Sequence, residues 1–204
     1  MLLLVTGASG SGKSTTLAAL ADRFPADSVT CREFDSIGVP AGADQAWRHG
    51  AVEHWVRQAV SEQRQGRHLI LFGQVPVGEL LAAPSADQLD GIGACLLHCS
   101  TVTRRDRLIA RGMSADELPD HLAFGQWFHG HMTDPAHQPE VIMVRTAVPM
   151  RWDRWSDWTA GDHRWSFEII DTDALTPGQT ADRVAAWISA SAAGRLRVIR
   201  LADG

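Results

Sequence analysis

LLLVTGASGSGKST, residues 2–15, is the stretch that decides the fold: a short apolar run from Leu2 to Thr6, a glycine-punctuated turn, and a helix-like continuation. Inside it, GASGSGKS from Gly7 to Ser14 fits the pattern G-x-x-x-x-G-K-[ST], whose specificity comes from a strand before it and a helix after it. Gly7, Gly10 and Gly12 admit backbone conformations closed to other residues, so consecutive N–H groups can converge on phosphate oxygens. Gly7, Ala8, Ser9, Gly10, Ser11, Gly12, Lys13, Ser14 and Thr15 are therefore assigned to a nucleoside triphosphate. Lys13 brings positive charge to the β- and γ-phosphates, Ser14 brings a hydroxyl for Mg2+, and the helix N-terminus adds a partial positive charge.

Outward from this loop, buried-type strands alternate with helical patterns. Helices are expected over Ser14 to Arg23, Ala46 to Arg64, Val102 to Arg111 and Thr180 to Ser189. Strands are expected over Leu2 to Thr6, Ser28 to Phe34, His68 to Phe72, Ala94 to Cys99 and Trp165 to Ile170, with a late edge strand at Leu196 to Leu201. The alternation predicts an α/β fold, a three-layer α/β/α sandwich around a mostly parallel five-stranded sheet.

A chain of 204 residues with 45% hydrophobic content can bury one substantial core, so one domain spanning 1–204 is expected. The formal charge of −5 gives no long-range attraction for nucleic acid or an anionic membrane surface. No basic segment precedes the first apolar run and Gly7 interrupts it, which argues against a signal peptide, and no run reaches the ~18 apolar residues of a membrane span. Cys31, Cys95 and Cys99 cannot all pair, so reduced thiols and a cytoplasmic location are expected.

The order of strand, phosphate loop, helix, second strand ending in acid, third strand ending in glycine, fourth strand and arginine-rich helix resembles the small-molecule kinase branch of the P-loop NTPases. That branch includes shikimate, gluconate, nucleoside-monophosphate and chloramphenicol-type antibiotic kinases. The resemblance covers residues 1–112 and 165–190. It implies that Asp35, in REFDSIG, faces the γ-phosphate, where it would prepare an acceptor hydroxyl and hold the metal through water. It also implies acceptor contacts at Gly73 and Gln74. Arg104, Arg107 and Arg111 share one helical face, and the resemblance makes Arg107 and Arg111 catalytic lid arginines and Arg104 a nucleotide contact, with Gly112 as a hinge. Asp171 and Thr172, after the fifth strand, would approach the base.

The stretch 114–164 has little strand periodicity and reads as a Trp- and His-rich lid or acceptor insertion. His129-x-His131, with His121 and His137 nearby, suggests metal, but no cysteine and no well-spaced carboxylate joins them, so a polar pocket or a decorated loop is the expectation. Trp152, Trp155 and Trp158 are three apart, a helical stripe that packs on the core or, with Trp127 and Trp47, forms a wall for a planar acceptor.

The expected function is transfer of the γ-phosphoryl group of ATP, with Mg2+, to a small-molecule nucleoside, nucleotide, sugar or antibiotic hydroxyl, in a chain that could form a homodimer. The alternative is a nucleotide-binding sensor without transfer activity, kept open because HLILF ends without the acid that motor-type ATPases use. A GTPase switch is disfavoured: Asp35 to Gly38 has D-x-x-G spacing but follows the second strand, and no N-K-x-D occurs.

Overall fold

The computed structural model describes residues 1–20, 23–25 and 27–201. Five strands, β1 (Leu2–Thr6), β2 (Val29–Glu33), β3 (His68–Gly73), β4 (Ile92–His98) and β5 (Glu168–Asp171), form one sheet in the order β2-β3-β1-β4-β5. Every pairing within it is parallel. The helices are α1 (Lys13–Leu20), α2 (Gln45–Arg64), α3 (Val77–Ala82), α4 (Thr101–Ala110), α5 (Leu118–Thr133) and α6 (Pro177–Ala192). The end of the first expected helix falls partly outside the described residues. None of the described helices is long and apolar enough to cross a membrane.

Strand alternation divides the core. Leu3, Val5, Ile70, Phe72, Cys95 and Leu97 face α1 and α6, while Leu2, Leu4, Leu69, Leu71, Ala94 and Leu96 face α2, α3 and α5. Both faces of the central strands are therefore apolar, as a parallel sheet covered on two sides requires. The crossover order puts β1 and its loop between β3 and β4, so the loop after β1 opens at the sheet's carboxyl edge, where strand order reverses.

Three expectations change. The second strand stops at Glu33, and Phe34–Ile37 turn into a 3-10 helix because buried Phe34 packs inward and its carbonyl accepts from Trp55 Nε1 at 2.9 Å. The late edge strand reduces to a single antiparallel bridge between Ile92 and Ile199.

The third change concerns 114–164. It contains a 16-residue helix, α5, whose pattern the histidines and glycines disguised. The Trp152–Trp158 stretch is a 3-10 helix at Trp152–Arg154 followed by a turn, with no helical stripe. Trp155 is fully buried and donates from Nε1 to the Gly78 carbonyl at 2.8 Å, while Trp165 Nε1 donates to the Met132 carbonyl at 3.0 Å. Gly78 is required here, since a Cβ would stand 2.6 Å from the Trp155 indole. This stretch is anchored in the same core as β1 and β3.

Candidate active site

Three glycines of the loop adopt positive φ: Gly7 at 151°, Gly10 at 83° and Gly12 at 101°. Gly7 also has no room for a side chain, because a Cβ would collide with the Leu97 carbonyl on β4. The loop is held from beneath. Arg104 is buried, passes under α5 at Gly125, and donates to the Ser9 carbonyl at 2.8 Å. Arg107 donates to the Gly10 carbonyl at 3.2 Å and to Thr172 Oγ1 at 2.9 Å and its carbonyl at 2.8 Å.

Of the three arginines on the expected lid face, two thus brace the loop's carbonyls. Burial pulls the Arg104 guanidinium below its ordinary pKa. Arg111, exposed at the end of α4 and followed by Gly112 at φ 83°, is the arginine free to approach a ligand.

Lys13 turns back on the loop and donates from Nζ to the carbonyls of Gly7 at 2.6 Å and Ala8 at 3.2 Å. Burial, together with Arg104 and Arg111, lowers its pKa to about 8, against opposing pull from Asp35 and Glu33. Ser14 Oγ donates to Glu33 Oε1 at 3.0 Å. Glu33 was not assigned a role from the sequence; only knowledge that the second strand ends two residues before Asp35 would have picked it out.

A cleft of about 240 Å3 opens at this edge, lined by the loop residues Ser9, Gly12, Lys13 and Ser14, by Glu33 and Asp35, and by Gly73, Gln74 and Arg111. Asp35 and Lys13 thus lie in one cavity although 22 positions separate them in sequence. Gly73 helps set Asp35: a Cβ there would stand 2.5 Å from Phe34 Cβ, so glycine lets the 3-10 turn sit against β3. Gln74 Oε1 accepts from the Ser9 N–H at 2.8 Å and from Ser9 Oγ at 3.1 Å, which ties it to the loop. Its carbonyl accepts from Arg48 Nη2 at 2.8 Å, and Arg48 also forms a bidentate pair, 2.6 Å at each contact, with fully buried Glu79. Burial opposes the charge on Arg48, but Glu79 outweighs it and raises the guanidinium pKa.

On the other side of the loop, a second cleft of about 210 Å3 is lined by Ser11, Gly12, Thr15, Arg107, Arg111, Thr172, Leu175 and Pro177. Thr172 lines it but has its hydroxyl engaged with the His98 carbonyl at 3.0 Å, and Asp171 is an exposed acceptor for the Asp173 N–H at 2.9 Å.

Trp127 does not line either cleft: it is buried, stacks on His131 with centroids 5.4 Å apart, and donates to the Gln138 carbonyl. It is a core residue rather than an acceptor wall, and Trp47, edge-on to Phe34, is likewise a packing residue. The histidines disperse: His129 lies against His98 at 4.0 Å, whereas His131 is fully buried among Trp127, Trp155 and Trp165. Among the described residues no group of three or more histidine, cysteine or acidic side chains is placed to hold a metal ion. A larger cavity of about 760 Å3 lies around Arg151, Arg164 and Ile199, but Ile199 bridges the amino end of β4, opposite the loop.

No protein-family profile and no curated protein matches the sequence. In three dimensions the chain is similar to a sugar kinase from Janibacter sp. HTCC2649, with TM-score 0.55 and 16% identity over 96% of this chain and 98% of that one. It is similar to the tunicamycin resistance protein of Deinococcus radiodurans, with TM-score 0.56 and 16% identity over 92% and 94%. It is also similar to a gluconokinase from Sinorhizobium meliloti 1021, with TM-score 0.53 and 16% identity over 94% and 93%. The chain shares its fold with these structures, two of which are small-molecule kinases.

Proposed function

We propose that the protein is an ATP-dependent phosphotransferase that moves the γ-phosphoryl group to a hydroxyl of a small molecule. The observation that carries this reading is the single cleft holding Lys13 on one side and Asp35 on the other. Phosphoryl transfer needs charge neutralisation at the phosphates and an oriented acceptor oxygen, and these are the two groups that supply them. The loop N–H groups and Lys13 bind the phosphates, Arg111 approaches them from the end of α4, and Asp35 accepts the proton of the attacking hydroxyl. Arg107 serves by holding Gly10 to Thr172. The second cleft, between the loop and the start of α6, is assigned to the base and ribose.

Mg2+ is the cofactor this site fits. A hydroxyl and a carboxylate already 3.0 Å apart, Ser14 and Glu33, form the sparse oxygen set that Mg2+ shares with phosphates and water, and Asp35 would act through water. When bound, the ion neutralises charge on the β- and γ-phosphates. The three unpaired cysteines accord with a reducing, cytoplasmic setting.

A nucleotide-binding sensor without transfer is the second reading, favoured by β3 ending in Gly73 rather than an acid. Glu33 beside Ser14 weighs against it, because the carboxylate is supplied from β2 instead. Acceptor-dependent ADP release across nucleosides, sugars and phenicol- or aminoglycoside-like alcohols decides between them. Turnover with any member is expected; ATP binding without turnover across the panel would establish the sensor.

The Lys13 environment predicts a pH dependence. Its folded pKa, about 8, lies below the free-lysine value of 10.5, so the fold disfavours the ammonium. The cost to the unliganded fold is fully present below pH 8 and is relieved as pH rises from 8 to 10.5. Polyphosphate restores the ammonium, so ATP affinity is expected to fall above pH 8, by up to about tenfold per unit, with uptake of a proton on binding. Lys13 is the chain's single lysine. Reductive methylation with a 13C label followed by NMR titration therefore reads it directly; a midpoint near 10.5 in the free protein would refute the argument.

A further inference from the structure

We infer that the acceptor is an uncharged hydroxyl compound, and that the site discriminates against carboxylate- or phosphate-bearing acceptors; this rests on the kinase reading and names the substrate class of that same site. The cations lining the cleft are Lys13 and Arg111, one in the phosphate loop and the other reaching the phosphates from α4. On the acceptor side the nearest cation joined to the cleft's lining is Arg48, held to the Gln74 carbonyl. Its charge is already matched: Nε and Nη2 close a bidentate pair with Glu79, a carboxylate with no solvent exposure.

Asp35 adds a carboxylate to this side, in the same cleft as Lys13, whose ammonium it favours. Asp35 is near enough to raise the Arg48 pKa along with Glu79. Arg48 and Glu79 cancel behind Gln74, and once Lys13 and Arg111 are taken up by phosphates the charge left uncompensated on the acceptor side of the cleft is that of Asp35. An anionic acceptor would meet that charge at close range, at an exposed carboxylate, where like charges repel.

A neutral polyol meets complementary groups instead. The hydrogen bonds of Gln74, in the cleft lining, use Oε1, which leaves its amide nitrogen as a donor. Asp35 offers an acceptor for the reacting hydroxyl. A donor beside an acceptor suits neighbouring hydroxyls, as on a sugar, nucleoside or polyol.

The test uses matched sets: a neutral sugar or nucleoside, its carboxylate (the aldonate or uronate) and its monophosphate, each at saturating ATP and Mg2+, with ADP release as readout. At least tenfold higher kcat/KM for the neutral member is expected in every set that turns over. Equal or higher kcat/KM for an anionic member overturns the inference and leaves the kinase reading standing. No turnover of any member, with ATP binding confirmed by displacement of a fluorescent analogue, overturns both. A second arm changes the local charge: Glu79→Gln removes one negative charge, and the neutral-over-anionic ratio is expected to fall at least threefold. An unchanged ratio in a variant that retains its thermal transition contradicts the inference. If that variant does not fold, evidence without any variant comes from the wild-type ratio in rising salt: screening reduces it if repulsion is its cause, and a salt-insensitive ratio refutes that cause.

Discussion

Lys13→Met is expected to lower phosphoryl transfer by about a thousandfold while the protein stays folded. The side chain stands in the loop's mouth, where its Nζ donates to the Gly7 and Ala8 carbonyls. Charge that moves onto the bridging oxygen during transfer is met there by a fixed ammonium in a partly water-free cleft, and methionine fills the same space without charge. The fold itself does not depend on that charge. The lowered pKa means the folded state holds the ammonium less readily than the unfolded chain does, so its removal relieves a cost. The thermal midpoint is therefore expected to stay within a few degrees, while ATP affinity and turnover both collapse. More than a tenth of wild-type turnover on an established acceptor would remove Lys13 from the mechanism.

The shape of the loop Gly7 to Ser14 was legible because its signal is local: its glycines act through backbone conformations that only neighbouring residues determine. The parallel sheet was legible for a related reason, since strands buried on both faces read as unbroken apolar runs such as HLILF. What stayed hidden depends on long-range pairing. Glu33 acquires meaning only through Ser14, and Arg48 only through Glu79, 31 positions on. Nothing in the local sequence of either residue announces its partner. The arginine face of α4 was visible as a face. Whether its members meet solvent, loop carbonyls or ligand depended on α5, whose Gly125 lets Arg104 pass beneath.

Aromatic content misleads in a similar way. Trp127, Trp155 and Trp158 looked suited to a stacking wall, yet they are buried together with Trp165, and Trp127, Trp155 and Trp165 give their indole N–H groups to backbone carbonyls. A large aromatic surface stabilises whatever it is pressed against, and the segment 114–164 has no strand of its own to join to the sheet. Its tryptophans attach it instead. That attachment also restricts what can move: α5 and the turns after it are fixed to β1 and β3 through the shared core, whereas Arg111 to Glu117, mostly exposed and hinged at Gly112, is not so constrained. Closure over bound phosphates, if it accompanies turnover, is concentrated in that short segment, and Arg111 is the charge it carries.

Asp35→Asn separates the two carboxylates of the cleft and should lower kcat by about a hundredfold to ten-thousandfold. The side chain keeps its size and can still orient an acceptor hydroxyl, but it no longer accepts the proton, so the loss falls on kcat while the KM for ATP changes little. Glu33→Gln is the comparison. Glu33 accepts from Ser14 Oγ, on the loop side of the cleft, and its loss should raise the Mg2+ concentration needed for half-maximal activity without abolishing proton removal at the acceptor. The pair of variants therefore divides by kinetic signature: Glu33→Gln is rescued by added Mg2+, whereas Asp35→Asn, which reaches the ion only through water, keeps most of its kcat deficit at saturating Mg2+. Position explains why the roles do not exchange. Glu33 ends β2 beside Ser14, whereas Asp35 stands one turn later on the 3-10 segment that Phe34 and Gly73 press against β3, next to Gln74 and the acceptor side. Full turnover in Asp35→Asn on an established acceptor would exclude it as the base, and full rescue of that variant by Mg2+ would leave it only its water-mediated hold on the metal.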